Sequence, residues 1–422
     1  MSGDTGQESS KKLVPAMWTS STYFAEGLPW SLLHQVAGEL LTAVGLPPRM
    51  VGYTSVLHLT GSLKFLWSPF VDLFGTLRKW MLTTQMLMGA AVMALALAAE
   101  QLASIDAPIA ADTTWVWVLL VVIGVLSATH DIACDGYYME ALGPEDQAKY
   151  SGLRVAAFRV AMVVGSGGLV YAGGRFGWLV GFGAGAAMLV ALALFHRAVL
   201  PRRSVKPPIE STVEASWSQR LVHVWAAYKL FLIQPHVVVT VGFIISFKLG
   251  DALMFSMSKV LLRDLGILTA DRAVINVSGT LSMILGAMVG GAWVARRGLV
   301  RTIVPIALVM ALSEPVYLWL AAWSLPREIL AATGCGYLLV SPPLLWVAAT
   351  IVLEQFAGGM ATAAQMIFIM RRCHPDHKAA HFAFATALYA TAQTLTGTYS
   401  GVLYEHHGPV FYFGLASVIC IP

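Results

Sequence analysis

Apolar residues fall in long runs broken by short polar or Gly/Pro turns, and this pattern recurs along the whole chain. The runs predict helices over residues 14–44, 50–74, 81–103, 114–141, 151–173 and 178–200. After a hydrophilic stretch from residue 201 to 219 they resume over 236–262, 273–295, 302–323, 343–370, 379–403 and 409 to the end. A hydrocarbon core about 30 Å thick needs about 20 apolar residues in a helix, so each run is long enough to cross a bilayer. The pattern predicts an all-α membrane protein with about twelve transmembrane helices, six on each side of one linker. The expected parts are an N-terminal bundle over 1–200, a linker over 201–235 and a C-terminal bundle over 236–422. The segment before the first span is polar up to Lys12 and lacks the short apolar run and small-residue cleavage site of a signal peptide, so that span is expected to remain in the mature protein.

Composition agrees. Of 422 residues 57% are hydrophobic and only 12% charged, against about 25% charged in soluble domains. The net charge of +4 is distributed by topology. With the N-terminus inside, seventeen Lys and Arg fall in inner segments (for example Lys11, Lys12, Arg78, Lys79, Arg197, Arg202, Arg296, Arg297, Arg371 and Arg372). Five fall outside: Arg49, Arg175, Arg263, Arg272 and Arg327. This bias predicts a cytoplasmic N-terminus and argues against nucleic-acid binding. Cys134, Cys335, Cys373 and Cys420 lie far apart, with no disulfide or metal-ligand spacing. In the linker, apolar and basic residues alternate at helical spacing from Trp217 to Leu232, which predicts an amphipathic helix on the inner leaflet. Phe24-Ala25-Glu26-Gly27 in the first span resembles Phe247-Lys248-Leu249-Gly250 in the seventh. With the six-linker-six layout, this suggests a duplicated transporter bundle with its site near mid-membrane.

The candidate chemistry lies in charges that break the apolar rule: Glu26, Lys64, Asp72, Asp131, Asp135, Glu140, Arg154, Arg159, Lys248, Asp251, Glu314 and Glu354. Charges in hydrocarbon are costly, so they pair, face the bundle interior or line a water-filled path. Asp131 and Asp135 are four apart and share a helix face. Two like charges there do not both stay ionised in low dielectric, which is the chemistry of proton coupling. The competing reading is a structural ion pair to Arg154 or Arg159. His130 is a candidate relay, or an ordinary hydrogen-bonding residue. Lys248 and Asp251 are three apart, so they form either a self-neutralising pair or a switch, with Glu26 as the partner of Lys248 across the pseudo-twofold axis. Lys64 either contacts an anion or reaches toward Asp72. Glu354 and Gln355 offer hydrogen bonds to a polar solute. Tyr138 and other aromatics at the same depth could stack on sugar rings or simply pack. Glu314, beside Pro315, reads as a kink feature. No metal site is expected.

Several of these segments together resemble one family. Tyr23-Phe24-Ala25-Glu26-Gly27-Leu28-Pro29, Lys64-Phe65-Leu66-Trp67-Ser68-Pro69, Asp131-Ile132-Ala133-Cys134-Asp135-Gly136-Tyr137, Phe247-Lys248-Leu249-Gly250-Asp251-Ala252, Glu354-Gln355-Phe356-Ala357-Gly358-Gly359-Met360 and His381-Phe382-Ala383-Phe384-Ala385-Thr386 are similar to the AmpG muropeptide permeases. The resemblance implies a major facilitator fold with two pseudo-symmetric six-helix bundles, in a bacterial inner membrane. It also implies proton-driven import of anhydro-muropeptides (N-acetylglucosaminyl-anhydro-N-acetylmuramic acid with or without a stem peptide), which serves peptidoglycan recycling and beta-lactamase induction. The related acetyl-coenzyme A transporters share parts of the pattern, so an organic-anion carrier is the nearest rival. His130 departs from the expected Gln of the fourth-span motif, and the chain stops at Pro422 within the twelfth span, where some members extend further. The fifth span lacks the Gly-Pro pair of antiporters in the superfamily, which favours symport or uniport. Residues 72–79 resemble a degenerate form of its inner-loop motif.

On this basis Asp131, Asp135, Glu26 and Asp251 are the expected proton-coupling residues. Lys248, Lys64, Arg154, Glu354, Gln355 and Tyr138 are the expected solute contacts. The chain is expected to act as a monomer, with a small sugar-peptide, protons and the lipid bilayer as partners and no cofactor. A polytopic transferase using His130 and Asp131 is the alternative of a different class. It is disfavoured because no sizeable loop could hold a soluble donor and the charges spread over both halves.

Overall fold

A computed structural model describes residues 5–67, 71, 75–105, 112–201, 228–322, 342–374 and 378–421. Every regular element among them is helical. Eight helical stretches are long and apolar enough to cross a membrane: Leu77–Ala103, Thr114–Ala141, Leu153–Phe176, Trp178–Val199, Val237–Asp264, Thr269–Arg297, Leu299–Ala322 and Leu345–Arg372. These coincide with eight of the twelve expected spans. The first expected span is α1 (Thr5–Ser31), running through a π turn at Leu32–Val36 into α2 (Ala37–Ala43). The second is broken into α3 (Pro48–Tyr53), a 3₁₀ turn, α4 (His58–Ser62) and a further 3₁₀ turn at Lys64–Leu66. The last two lie within one helical stretch, Lys378–Ile419, which Gly408 divides with a left-handed φ of 78° just before Pro409. The chain is a multi-pass membrane protein. Large apolar side chains such as Val121, Leu285, Leu308 and Trp346 are exposed on helix faces, as lipid-facing positions require.

The chain divides into two units. The first holds residues 1–45 and 57–210, and the second holds residues 46–56 and 211–422. Most of the linker, 202–227, lies outside the described residues, as do Asp72, Arg327 and Cys335. Where the linker becomes described, residues 228–232 are helical. There Tyr228 stacks on Phe384 at 4.9 Å, and Phe231 packs edge-on against His381 at 5.4 Å. The end of the expected surface helix is therefore anchored on its own unit by aromatic rings.

In the first unit, α5 (Leu77–Ala103) runs beside α9 (Trp178–Val199) and caps both of its ends. Glu100 accepts a hydrogen bond from the Leu179 amide at 2.8 Å, while the Arg78 guanidinium donates to the carbonyl oxygens of Arg197 at 2.6 Å and Leu200 at 3.3 Å. An anion at the N-terminus and a cation at the C-terminus both complement the helix dipole. Gly177, with φ 97°, makes the tight turn from α8 (Val170–Phe176) into α9 that a residue bearing Cβ would strain. Between those ends His196 is fully buried, 2.9 Å from both Gln85 Oε1 and Ser21 Oγ.

In the second unit, α12 (Thr269–Arg297) and α15 (Pro342–Arg372) approach through glycines. A Cβ on Gly286 would overlap the Phe356 carbonyl oxygen, and one on Gly359 would overlap that of Met283. In lipid no hydrophobic drive pushes helices together, so close contact between small residues carries the association.

Three of the membrane charges occur where a helix is interrupted. Lys64 lies in the 3₁₀ turn of the second span. Lys248 lies at the break between α10 (Val237–Ser246) and α11 (Leu249–Asp264), and Glu314 lies between α13 (Leu299–Ser313) and α14 (Pro315–Ala322). The runs expected over 50–74 and 236–262 thus lose helical geometry at a charge, whereas Glu314, just before Pro315, keeps helical dihedrals (φ −63°, ψ −38°). Broken backbone at membrane depth persists where protein or a wet cavity satisfies it, and such breaks accompany transporter binding sites.

Candidate functional site

Each unit carries one cluster of carboxyls and cations. In the first, α6 (Thr114–Ala141) presents Asp131 and Asp135 one turn apart, and α1 supplies Glu26 and Tyr23. One oxygen from each of Glu26, Asp131 and Asp135 lies within 4.8 Å of the others. Lys64 forms a salt bridge with Asp131. On Asp135, Arg154 from α7 (Pro144–Val163) makes a 3.4 Å ion pair, and the Tyr23 hydroxyl donates a 2.7 Å hydrogen bond. The Arg154 guanidinium lies 4.5 Å from the Tyr23 ring centre and 5.3 Å from that of Tyr138, so two aromatic faces hold it in place. Trp67 donates to Thr129 Oγ1 at 3.1 Å, tying the turn that bears Lys64 to α6.

Three carboxyls here face two cations. Fully ionised, the cluster carries one surplus negative charge, and a single proton makes it neutral. Glu26 Oε2 is buried without a hydrogen-bond partner, which leaves Glu26 the least compensated of the three. An uncompensated charge on Glu26 is expensive in a membrane while its partly exposed neighbours can exchange with water, so the arrangement suits a site that gains and loses one proton.

The second cluster combines Lys248 and Asp251 on the seventh span with Glu314 and with Glu354 and Gln355 of α15. Lys248 Nζ pairs with Asp251 at 3.0 Å and donates to Thr362 Oγ1 at 2.7 Å and to the Gly358 carbonyl at 3.4 Å. Glu354 accepts from Gln355 at 2.8 Å and from the Tyr317 hydroxyl at 3.4 Å. One oxygen from each of Asp251, Glu314 and Glu354 lies within 4.8 Å of the others.

Several sequence expectations take a different form here. Lys64 binds Asp131, and Asp72, its expected partner in the competing reading, lies outside the described residues. Of the two arginines proposed for Asp135, Arg154 makes the pair, while Arg159 contacts the sulfur of Met162 at 3.8 Å. Glu26 belongs to the cluster of the first unit and Lys248 to that of the second. His130 is fully buried with its ring 3.5 Å from the Cys134 thiol, which favours packing over a relay. Tyr138 clamps Arg154, and Gln355 donates an amide proton to Glu354. The structure adds Tyr23 and Glu314 to the two clusters. The Tyr23 signal was a phenol one turn before Glu26, and the Glu314 signal was an acid inside an apolar run. Asp251, Glu314 and Glu354 are spaced closely enough to hold a cation, with Lys248 already supplying one positive charge.

A profile described as Major Facilitator Superfamily matches residues 19–342. The chain belongs to the major facilitator superfamily. Over 406 residues it is 27% identical to the anhydromuropeptide permease of Escherichia coli (strain K12), covering 94% of this chain and 76% of that protein. A putative transporter AmpG 4 of Rickettsia conorii is 23% identical over 407 residues, covering 94% and 91%. Among solved structures the nucleoside transporter NupG superposes with a TM-score of 0.66 at 14% identity, covering 96% of this chain and 97% of that one. The D-xylose-proton symporter superposes with a TM-score of 0.66 at 12% identity, covering 97% and 95%. These relatives are permeases and transporters, and this superfamily member is a transporter of small molecules rather than an enzyme.

Proposed function

We propose that this protein imports anhydro-muropeptides across the bacterial inner membrane by proton-coupled alternating access, with its N-terminus in the cytoplasm, acting as a monomer. The observation that carries the reading is the Lys64–Asp131 pair inside a cluster that is one proton short of neutrality. While Asp131 is ionised, it occupies Lys64. A proton taken up by Asp131 cancels that charge and frees the ammonium for an anionic group, so proton and anionic solute enter together. Asp135 and Glu26 are the alternative carriers of the same proton, and Arg154 is a second cation for the solute. Muropeptides carry free carboxylates, which Lys64, Arg154 and, after protonation of Asp251, Lys248 can hold. Tyr138, beside Arg154, supplies a ring contact and Gln355, beside Glu354, an amide contact. The similarity to anhydromuropeptide permeases over 94% of the chain supports this solute class, and the excess of Lys and Arg in the inner segments supports the orientation.

Uptake of labelled muropeptide into inverted and right-side-out vesicles, with and without a pH gradient, tests the reading. Asp131→Asn should remain folded in membranes and lose proton-driven accumulation. Full accumulation by that variant would remove Asp131 from the role. Because Lys64 and Arg154 would also suit another organic anion, the same vesicles should be challenged with excess acetyl-coenzyme A. Strong competition would favour the organic-anion carrier.

A further inference from the structure

The second cluster holds more acid than its ion pair explains. Glu314 stands between α13 and α14, is 0% exposed, and receives no hydrogen bond from an N–H or O–H group on either Oε1 or Oε2; the Cys420 thiol beside it is a weak donor. A buried carboxylate without donors is among the least favourable groups in a protein interior, whereas a neutral carboxylic acid is far less costly there. The Glu314 carboxyl is aimed at company of its own sign: Glu354, itself 1% exposed, and Asp251, all with oxygens within 4.8 Å. The charged and titratable groups facing it come from every neighbouring element. Lys248 and Asp251 come from the seventh span, Tyr317 from α14, Glu354 from α15, and Cys420 from the end of the last helical segment, while Tyr389 faces Lys248. Lys248 is the one cation among them, and its 3.0 Å contact is with Asp251. Tyr317 and Gln355 give Glu354 hydrogen bonds but no charge. After the Lys248–Asp251 pair is set aside, two carboxyls remain with no counter-cation among the described residues.

We propose that Glu314 and Glu354 form a proton-binding site contained wholly within the C-terminal unit, loaded separately from the Glu26–Asp131–Asp135 cluster. Its ligand is a proton taken from water on one side of the membrane, held on a carboxyl oxygen, and returned to water on the other side as a carboxylate reforms. Each transport cycle then carries one proton more than the N-terminal cluster supplies. Only that last step rests on the proton-coupled reading given above. The protonated pair itself stands on burial, on the lack of N–H or O–H donors to Glu314, and on charge balance.

The test uses the purified full chain in lipid nanodiscs, with the infrared carbonyl band of protonated carboxyls followed through pH steps. The wild type should show a component at neutral pH that survives Asp131→Asn, vanishes in Glu314→Gln and returns in Glu314→Asp. An unchanged band in folded Glu314→Gln overturns the proposal. So does loss of the band on adding sodium at constant pH, which would make the site one for a metal cation. Should Glu314→Gln not fold, Glu354→Gln takes its place with the same expected loss. In proteoliposomes, Glu314→Gln should lower steady-state accumulation about tenfold for a gradient of about one pH unit, because one coupled proton is gone. Unchanged accumulation overturns the stoichiometric step. If labelled muropeptide is not transported at all, the proposed solute fails, and the infrared result still decides the site.

Discussion

A double-mutant cycle on Lys64 and Asp131 tests whether their salt bridge organises the first cluster. Lys64→Met removes the cation and leaves three carboxyls facing Arg154 alone. Asp131→Asn removes the anion and leaves Lys64 without its partner. Two unit charges about 4 Å apart attract by about 4 kcal/mol at an effective dielectric of 20. The Lys64 side chain is 37% exposed and that of Asp131 22%, so solvent screens part of this, and a coupling of about 1–2 kcal/mol remains. Each single variant should therefore lose more stability than the pair's additive share, and Lys64→Met with Asp131→Asn together should recover about 1–2 kcal/mol relative to the sum of the singles. The assay is reversible unfolding in mixed micelles, with circular dichroism reporting helix content. Strict additivity, with coupling below about 0.3 kcal/mol, would show that the two charges do not depend on each other, and the exchange of proton for solute at Lys64 would lose its basis.

Arg154→Lys keeps the charge but loses the planar stacking between Tyr23 and Tyr138. It should cost about 1 kcal/mol in the same unfolding assay, whereas an unchanged midpoint would mean the clamp contributes nothing. Gly286→Leu drives a side chain into the Phe356 backbone and should cost about 3 kcal/mol or abolish a monodisperse peak on size exclusion. Gly291→Ala, which meets no atom within 4 Å, should be neutral or slightly stabilising. His196→Ala strips partners from buried Gln85 and from Ser21 and should lower stability by about 2–4 kcal/mol. A loss under about 0.5 kcal/mol would mean that water or a neighbour replaces the imidazole.

The spans were legible in the sequence because lipid imposes a simple rule. A helix that crosses hydrocarbon must be apolar over about 20 residues, and every violation of that rule stands out. Glu26, Asp131, Asp135, Lys248 and Glu354 were visible for that reason alone, and so were the eight long apolar helices. Partner choice was not legible, because it depends on which faces of separate helices meet. Nothing in the residues around Lys64 distinguishes Asp131, 67 positions away, from nearby Asp72 as its partner. Nor does local sequence say that Tyr23 and Tyr138 close on Arg154. Glu314 shows the limit most plainly. Beside Pro315 it reads as a kink, and only packing that buries it away from N–H and O–H donors and brings Glu354 and Asp251 close turns it into a chemical site. Solvation is written one residue at a time along the chain, whereas electrostatic balance is a sum over neighbours that only the folded helices define.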